Sequence, residues 1–279
     1  MSNNPLMKFF RQPAIYIRLP SGGKSWRPGT IDYPENGEIA VMPMTAIDEI
    51  SYRTPDALFN GEAVTGVIQS CIPCIRDAWA TPSVDVDVLL VAIRIASYGH
   101  SMDISSTCPN CSEEHDFGLD LRSVIDGIKT ADFGQAFHQG DMTFHFRALS
   151  YKEMTDNSLQ QFEQQQALRA LSETENIAES DRLKRMNTVM KNLVDVTVKT
   201  ISRSITEIRT PGAIVTEQPY IEEFILNCDR TVFNQIKDHV IKMRSDSELK
   251  PLEITCPSCT HQYQQIFTLD MANFFVDAS

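Results

Sequence analysis

The chain has 279 residues, 42% hydrophobic and 22% charged, which is the make-up of an ordinary globular protein with room for a core of its own. Its 25 Lys and Arg against 37 Asp and Glu leave a formal charge of −12. That acidity argues against a general phosphate-binding surface, which needs clustered cations. No uninterrupted apolar run reaches the roughly 18 residues of a membrane helix, and the longest candidate, Val88–Ala96, is broken by Arg94. The N-terminal residues lack the apolar stretch of a signal peptide, and most of the seven cysteines sit in CxxC pairs. The expectation is synthesis and function in a reducing cytoplasm.

Residues 1–13 read as a flexible tail. Ala14–Leu19 alternates apolar and polar residues before the turn Pro20-Ser21-Gly22-Gly23, a strand-and-turn signal. Thr30–Tyr33 and Glu38–Met42 suggest two further short strands, giving a small antiparallel sheet. Thr45 is placed to cap a helix through Ser51, and Pro55–Phe59 to begin a second short one. Glu62–Ser70 carries Val64, Val67 and Ile68 at helical spacing and stops at Cys71-Ile72-Pro73-Cys74. This CxxC has two readings, a metal or redox site or two buried thiols beside a helix stop. Its apolar neighbours favour the second. Asp85–Tyr98 is apolar around much of its circumference and is expected to be a core helix buried on more than one side, with Gly99 as its C-cap.

Two matching knuckles follow, far apart in the chain: Thr107-Cys108-Pro109-Asn110-Cys111-Ser112 and Thr255-Cys256-Pro257-Ser258-Cys259-Thr260. Each sets two sulfurs three positions apart across a tight turn, and Cys108, Cys111, Cys256 and Cys259 together can close a tetrahedron around Zn²⁺. The flanks match as well, since Phe117–Leu121 answers Phe267–Met271, so each knuckle reads as strand, knuckle, strand. A redox dithiol needs one pair, not two matched ones, and four thiolates leave no open position for catalysis. The metal is therefore expected to be structural. A self-contained zinc ribbon has about 15–20 residues between its knuckles, whereas 144 lie between Cys111 and Cys256. The ribbon is split. His115 and His261 stand close behind the knuckles and are candidates for hydrogen bonds to the metal-bound sulfurs, or simply exposed turn residues.

The insert between the knuckles is mainly helical. Met142–Arg147 alternates like a strand; from Ser150 helical residues dominate, with Leu159, Phe162, Leu168 and Leu171 on one stripe and glutamines largely opposite. The polar stretch Ser172–Ser180 suggests a turn. Asp181–Ser204 resumes an amphipathic period through Leu183, Met186, Met190, Leu193, Val194, Val198 and Ile201, so the two helices are expected to form a hairpin. Pro219 opens a further helix, and Val232, Ile236, Val240 and Met243 mark another.

The fold class expected is α+β: a small N-terminal antiparallel sheet with helices, a split zinc ribbon and a helical insert between its halves. The divisions are 1–13 tail, 14–125 N-terminal lobe with the first knuckle, 126–250 insert and 251–279 second knuckle. GxxxxGK[ST], GxGxxG, HExxH and GxSxG do not occur, and the six histidines lack ligand spacing. Asp85 and Asp87 are read as helix N-terminal carboxylates that suit the dipole, not as an acid/base pair. No enzymatic activity is expected.

Several stretches, in order, resemble the baseplate hub subunit family of T-even-like contractile-tailed bacteriophages: Phe9-Phe10-Arg11-Gln12-Pro13, Leu19–Gly23, Met42–Glu49, Pro55–Gly61, Ser70-Cys71, Asp85–Asp87, Ile93–Gly99 and the first CPxC. The likeness covers roughly residues 9–125. It implies a non-enzymatic component of the tail baseplate hub, working with other hub and tail proteins and with the tape-measure protein. It also implies residence in the virion tail, or in the host cytoplasm during assembly. No nucleic-acid partner is expected. On the same likeness the loop Met42–Glu49 is the expected contact with other hub components; the alternative is that Met42, Met44 and Ile47 simply pack on the core helix Asp85–Tyr98. The alternative is a zinc-ribbon adaptor for nucleic acid or a transcription or replication machine, which the acidic charge and the non-basic knuckles disfavour.

Overall fold

The alternation at Ala14–Leu19 becomes β1 (Ile15–Ile17), which pairs antiparallel with β2 (Ile39–Val41). The structure, a computed structural model, describes residues 4–52, 61–130, 132–173, 179–245, 249–267 and 274–275. The helix expected at Pro55–Phe59 and most of Phe267–Met271 lie outside the described residues, as does the centre of Ser172–Ser180. Contacts divide the chain into two compact units, residues 1–131 with 246–279 and residues 132–245.

In the first unit Thr30–Tyr33 is not a strand. It contributes one isolated bridge, Ile31 to Ile75. The helices are α1 (Ala46–Tyr52), α2 (Glu62–Cys71), α3 (Ser83–Tyr98) and the short α4 (Leu121–Asp126). At the start of α1, the Asp48 N–H donates to Thr45 Oγ1 at 3.2 Å and the Thr45 N–H donates to Asp48 Oδ2 at 2.7 Å, a reciprocal cap with Asp at the third position. Helix α3 is buried around its whole circumference from Val88 to Ile93, as its sequence demands, beside Ile39, Val41, Ile68 and Ile72. It ends at Gly99, whose φ of 88° is open to glycine but strained for other residues. Phe274 and Phe275 are buried, and the Phe275 ring meets Tyr52 edge-on at 4.7 Å.

Three sequence readings change here. The stretch expected to be a loose tail forms a 3-10 turn, Pro5–Phe9, and is then pinned by Arg11. That guanidinium donates to Pro43 O at 2.8 Å, Ser70 O at 2.7 Å and Asp48 Oδ2 at 3.2 Å. The loop Met42–Glu49 is likewise not a free charged surface: Asp48 is held by Thr45 and Arg11, and Glu49 accepts from the Tyr98 hydroxyl at 2.7 Å. Asp85 also has a different role from the dipole partner read in the sequence. It is fully buried in the first turn of α3, where its carboxylate accepts from Ser21 N (2.8 Å), Ser21 Oγ (2.6 Å) and Trp26 Nε1 (2.9 Å). It thereby ties the turn after β1 to the core helix.

The two knuckles lie at the ends of separate antiparallel hairpins. One is β3 (Ser101–Thr107) with β4 (Glu114–Asp120); the other is β9 (Leu252–Thr255) with β10 (Gln262–Gln265). Both hairpins belong to the first unit, although the second unit intervenes in the chain.

The second unit has more sheet than the sequence suggested. Besides the expected strand, β6 (Met142–Phe146), it contains β5 (Phe137–Gln139), β7 (Ile205–Arg209) and β8 (Ile214–Val215), in the antiparallel order β5-β6-β7-β8. Its helices are α5 (Tyr151–Glu173), α6 (Glu179–Ser204), α7 (Gln218–Asn227) and α8 (Arg230–Ser245). Phe144, Phe146, Val198, Ile201, Ile205, Ile208, Ile221, Ile225 and Ile236 form the core between sheet and helices. The expected α5–α6 hairpin is present, with Asn192 Nδ2 donating to Gln164 Oε1 at 3.0 Å across it. No helix of the described residues is long and apolar enough to cross a membrane.

Candidate metal centre

Each knuckle is built by the same backbone bonds. In the first, the Cys108 N–H donates to Glu113 O and the Ser112 N–H to Cys108 O, both at 2.9 Å. In the second, the Cys256 N–H donates to His261 O and the Thr260 N–H to Cys256 O, again at 2.9 Å. Four residues after its first cysteine each turn adopts the left-handed conformation, at Ser112 (φ 61°) and Thr260 (φ 58°). A β-branched threonine there is an outlier that its surroundings must hold in place. The two knuckles are thus conformational copies, down to a strained position that neither sequence announces.

The structure brings together all four cysteines singled out from the sequence. Cys108 Sγ lies 3.7 Å from Cys259 Sγ and Cys111 Sγ lies 3.6 Å from Cys256 Sγ, so both close pairs run between hairpins. All four sulfurs lie within 4.8 Å of one another. A disulfide needs about 2.05 Å, so these are four free thiols. A regular tetrahedron with metal–sulfur arms of about 2.3 Å has edges of about 3.8 Å, and the two close pairs match that edge. Cys108 and Cys256 are buried, whereas Cys111 and Cys259 sit at the partly open rim. The donor set fits a soft or borderline divalent cation.

Further bonds join the hairpins around the cluster. The Ser106 hydroxyl donates to Gln265 Oε1 at 2.9 Å and lies 2.9 Å from the Tyr263 hydroxyl, and Ser258 Oγ lies 3.1 Å from His115 Nε2. Asn110 Nδ2 donates to Cys259 Sγ at 3.5 Å. That amide first, and the His261 backbone N–H second, lower the Cys259 thiol to about 6. The largest influence on Cys111, the Glu113 backbone N–H, also pulls downward, but burial and the three neighbouring sulfurs together push it up to about 12. Hydrogen bonds thus support negative charge on the Cys259 sulfur, and a bound dication would favour the thiolate form of its ligands. Neither histidine ring is directed at a sulfur: the His115 ring meets Ser258 and the His261 ring stacks on Tyr263, while His261 acts on Cys259 through its backbone N–H. Asn110, whose side chain reaches a sulfur, was not legible as such, because the contact crosses 149 positions in the chain.

Cys71 and Cys74 are not part of this centre. Among the described residues, the four knuckle cysteines are the one group of three or more His, Cys, Asp or Glu that converges with metal-binding geometry. Burial first, then the Asp48 carboxylate, push the Cys71 thiol up to about 12, and burial raises Cys74 as well. A protonated thiol is a poor ligand. Replacing both by alanine should leave the metal content per chain unchanged; elemental analysis showing a loss of metal would contradict this.

The fold and centre define a two-unit α+β protein whose first unit is closed by a four-cysteine cluster. The family model described as T4 bacteriophage base plate protein matches residues 15–276, and the chain belongs to that family. No curated protein and no solved structure matches the chain.

Proposed function

We propose that the protein is a non-enzymatic structural component of the phage tail baseplate hub, and that Cys108, Cys111, Cys256 and Cys259 hold one structural Zn²⁺. Family membership across residues 15–276 carries the baseplate reading. The hub assignment rests on the ordered likeness of residues 9–125 to hub subunits. The zinc reading rests on four thiols from matched knuckles with two inter-hairpin separations of 3.6 and 3.7 Å. Four sulfur ligands saturate a tetrahedral zinc, so the ion would cross-link and neutralise thiolates but leave no position for substrate.

The chain's own residues supply the rest of the clasp. Asn110 and the backbone N–H groups of Glu113 and His261 stabilise sulfur charge, and Ser106, Tyr263 and Gln265 hold the two hairpins in register. The clasp joins two hairpins of the first unit whose knuckles are 144 residues apart in the chain. Function then lies in surfaces that meet other hub and tail proteins, the tape-measure protein among them, in the assembling and finished tail. Deleting the protein from its phage should give filled heads without attached tails. Normal tails in the deletion would overturn the reading.

A further inference from the structure

The four knuckle sulfurs are paired as well as clustered. Cys108 Sγ lies 3.7 Å from Cys259 Sγ, and Cys111 Sγ lies 3.6 Å from Cys256 Sγ. Both close pairs cross from one hairpin to the other, and together they use each cysteine once. Each pair also combines a buried thiol, Cys108 or Cys256, with one at the partly open rim, Cys259 or Cys111. A sulfur that small reagents reach therefore has a sheltered one beside it. The bonds of Ser106 with Tyr263 and Gln265, and of Ser258 with His115, hold the hairpins in this arrangement. To become a disulfide of about 2.05 Å each pair has to shorten by roughly 1.6 Å, a distance that modest rotation about the Cα–Cβ bonds covers. Cys71, Cys74 and Cys228 stand outside the group.

We propose that the clasp is redox-convertible: a small disulfide of the glutathione class turns the four thiols into two bonds between the hairpins, Cys108–Cys259 and Cys111–Cys256. The rim sulfur, as thiolate, attacks one sulfur of the oxidant and expels a small thiolate, which leaves a mixed disulfide on the protein. The buried partner then releases its proton to solvent, and its sulfur attacks the rim sulfur and expels the second small thiolate. Each expelled thiolate takes up a proton that a protein thiol has given up. One cycle thus oxidises two protein thiols and reduces one small disulfide to two thiols, a transfer of two electrons. After two cycles no thiolate of the cluster is left to hold a cation, yet the hairpins stay joined. Thiols persist in reducing compartments and disulfides in oxidising ones, so the cross-link survives passage from one to the other. The inference uses the same four cysteines as the proposed zinc site but rests on their sulfur positions, not on the identity of a cation.

The test incubates the full-length protein, as purified, with glutathione disulfide and then blocks the remaining thiols with iodoacetamide. Non-reducing digestion and mass spectrometry, with fragmentation inside the knuckles, map the bonds. The Cys108–Cys259 and Cys111–Cys256 linkages are expected in at least about tenfold excess over bonds within either knuckle. Dithiothreitol should return all four thiols, and the thermal transition of the oxidised protein should not move when EDTA is added. Zinc measured in the same samples separates this inference from the metal reading. Release of one ion per chain on oxidation is the result expected if both hold. Crossed bonds formed in a chain that carries no zinc from the outset uphold this inference while the metal reading falls. Bonds within the knuckles or between chains overturn it. So do thiols that stay reduced under conditions that oxidise a free peptide of residues 106–113.

Discussion

Cys256→Ser is expected to lose the metal and to lower the stability of the first unit by about 3–5 kcal/mol or more, a minority of the ~10–16 kcal/mol that structural zinc contributes in small peptides. Cys256 is buried, and its sulfur is 3.6 Å from that of Cys111 on the other hairpin, so the substitution breaks the clasp at its closed side. A loss of this size rivals the net stability of a whole domain, about 5–15 kcal/mol. The hairpins are two-stranded and belong to separate sheets, and such hairpins are marginal by themselves. What remains between them without the metal are the bonds of Ser106, Tyr263 and Gln265 and of Ser258 with His115. Thermal unfolding followed with and without a chelator checks the expectation. Chelation should bring the wild type down to the variant and leave the variant where it is. Cys228→Ser, at a thiol outside the cluster, should change neither metal content nor response to chelator.

The second large effect is expected at Asp85. Asp85→Ala removes the common acceptor of three donors, Ser21 N–H, the Ser21 hydroxyl and Trp26 Nε1–H, at a fully buried position. Each buried donor left without a partner costs about 1–3 kcal/mol, so the loss should reach about 3–5 kcal/mol and free the turn Leu19–Gly23 from α3. The carboxyl also titrates unusually. Burial, its largest influence, raises it to about 6 against the pull of the Ser21 and Trp26 donors. In the unfolded chain an aspartate titrates near 3.9. Between about pH 4 and pH 6 the folded protein therefore binds more protons at this site than the unfolded one, and the stability it contributes falls as pH rises through that window. Two units correspond to at most about 3 kcal/mol. Denaturant unfolding of the wild type and Asp85→Asn at a series of pH values isolates the group. The wild type should lose ground to the variant from pH 4 to pH 6, and a flat difference would show an ordinary carboxylate.

Much of the first unit could be read from local pattern. Helix α3 announces itself by an unbroken apolar circumference ending at Gly99, α1 by Thr45 and Asp48, and the four-cysteine cluster by two CPxC turns with like flanks. These signals are short in range, and each is set by residues within a few positions. What escaped the sequence is carried by long-range pairing. Arg11 is held by groups 32 to 59 positions away, and Asp85 accepts from a turn 64 positions upstream, so neither role leaves a local trace. Strand β7 was hidden for a different reason. It follows α6 without a break at Ser204, and Ile201, Ile205 and Ile208 keep helical spacing across the change from helix to strand. Strands β5 and β8 have only three and two residues, too short to show an alternation. The left-handed Ser112 and Thr260 follow from closing the knuckle, not from any preference of serine or threonine.

The cluster joins Cys108, Cys111, Cys256 and Cys259 across two hairpins of the first unit, and the cross-link depends on what they hold. The most direct measurement is the metal content of the purified full-length chain, together with X-ray absorption at the zinc edge. One zinc per chain with four sulfur neighbours at about 2.3 Å is the result predicted. A metal-free, fully folded protein, or a zinc bound by nitrogen and oxygen ligands, would contradict it.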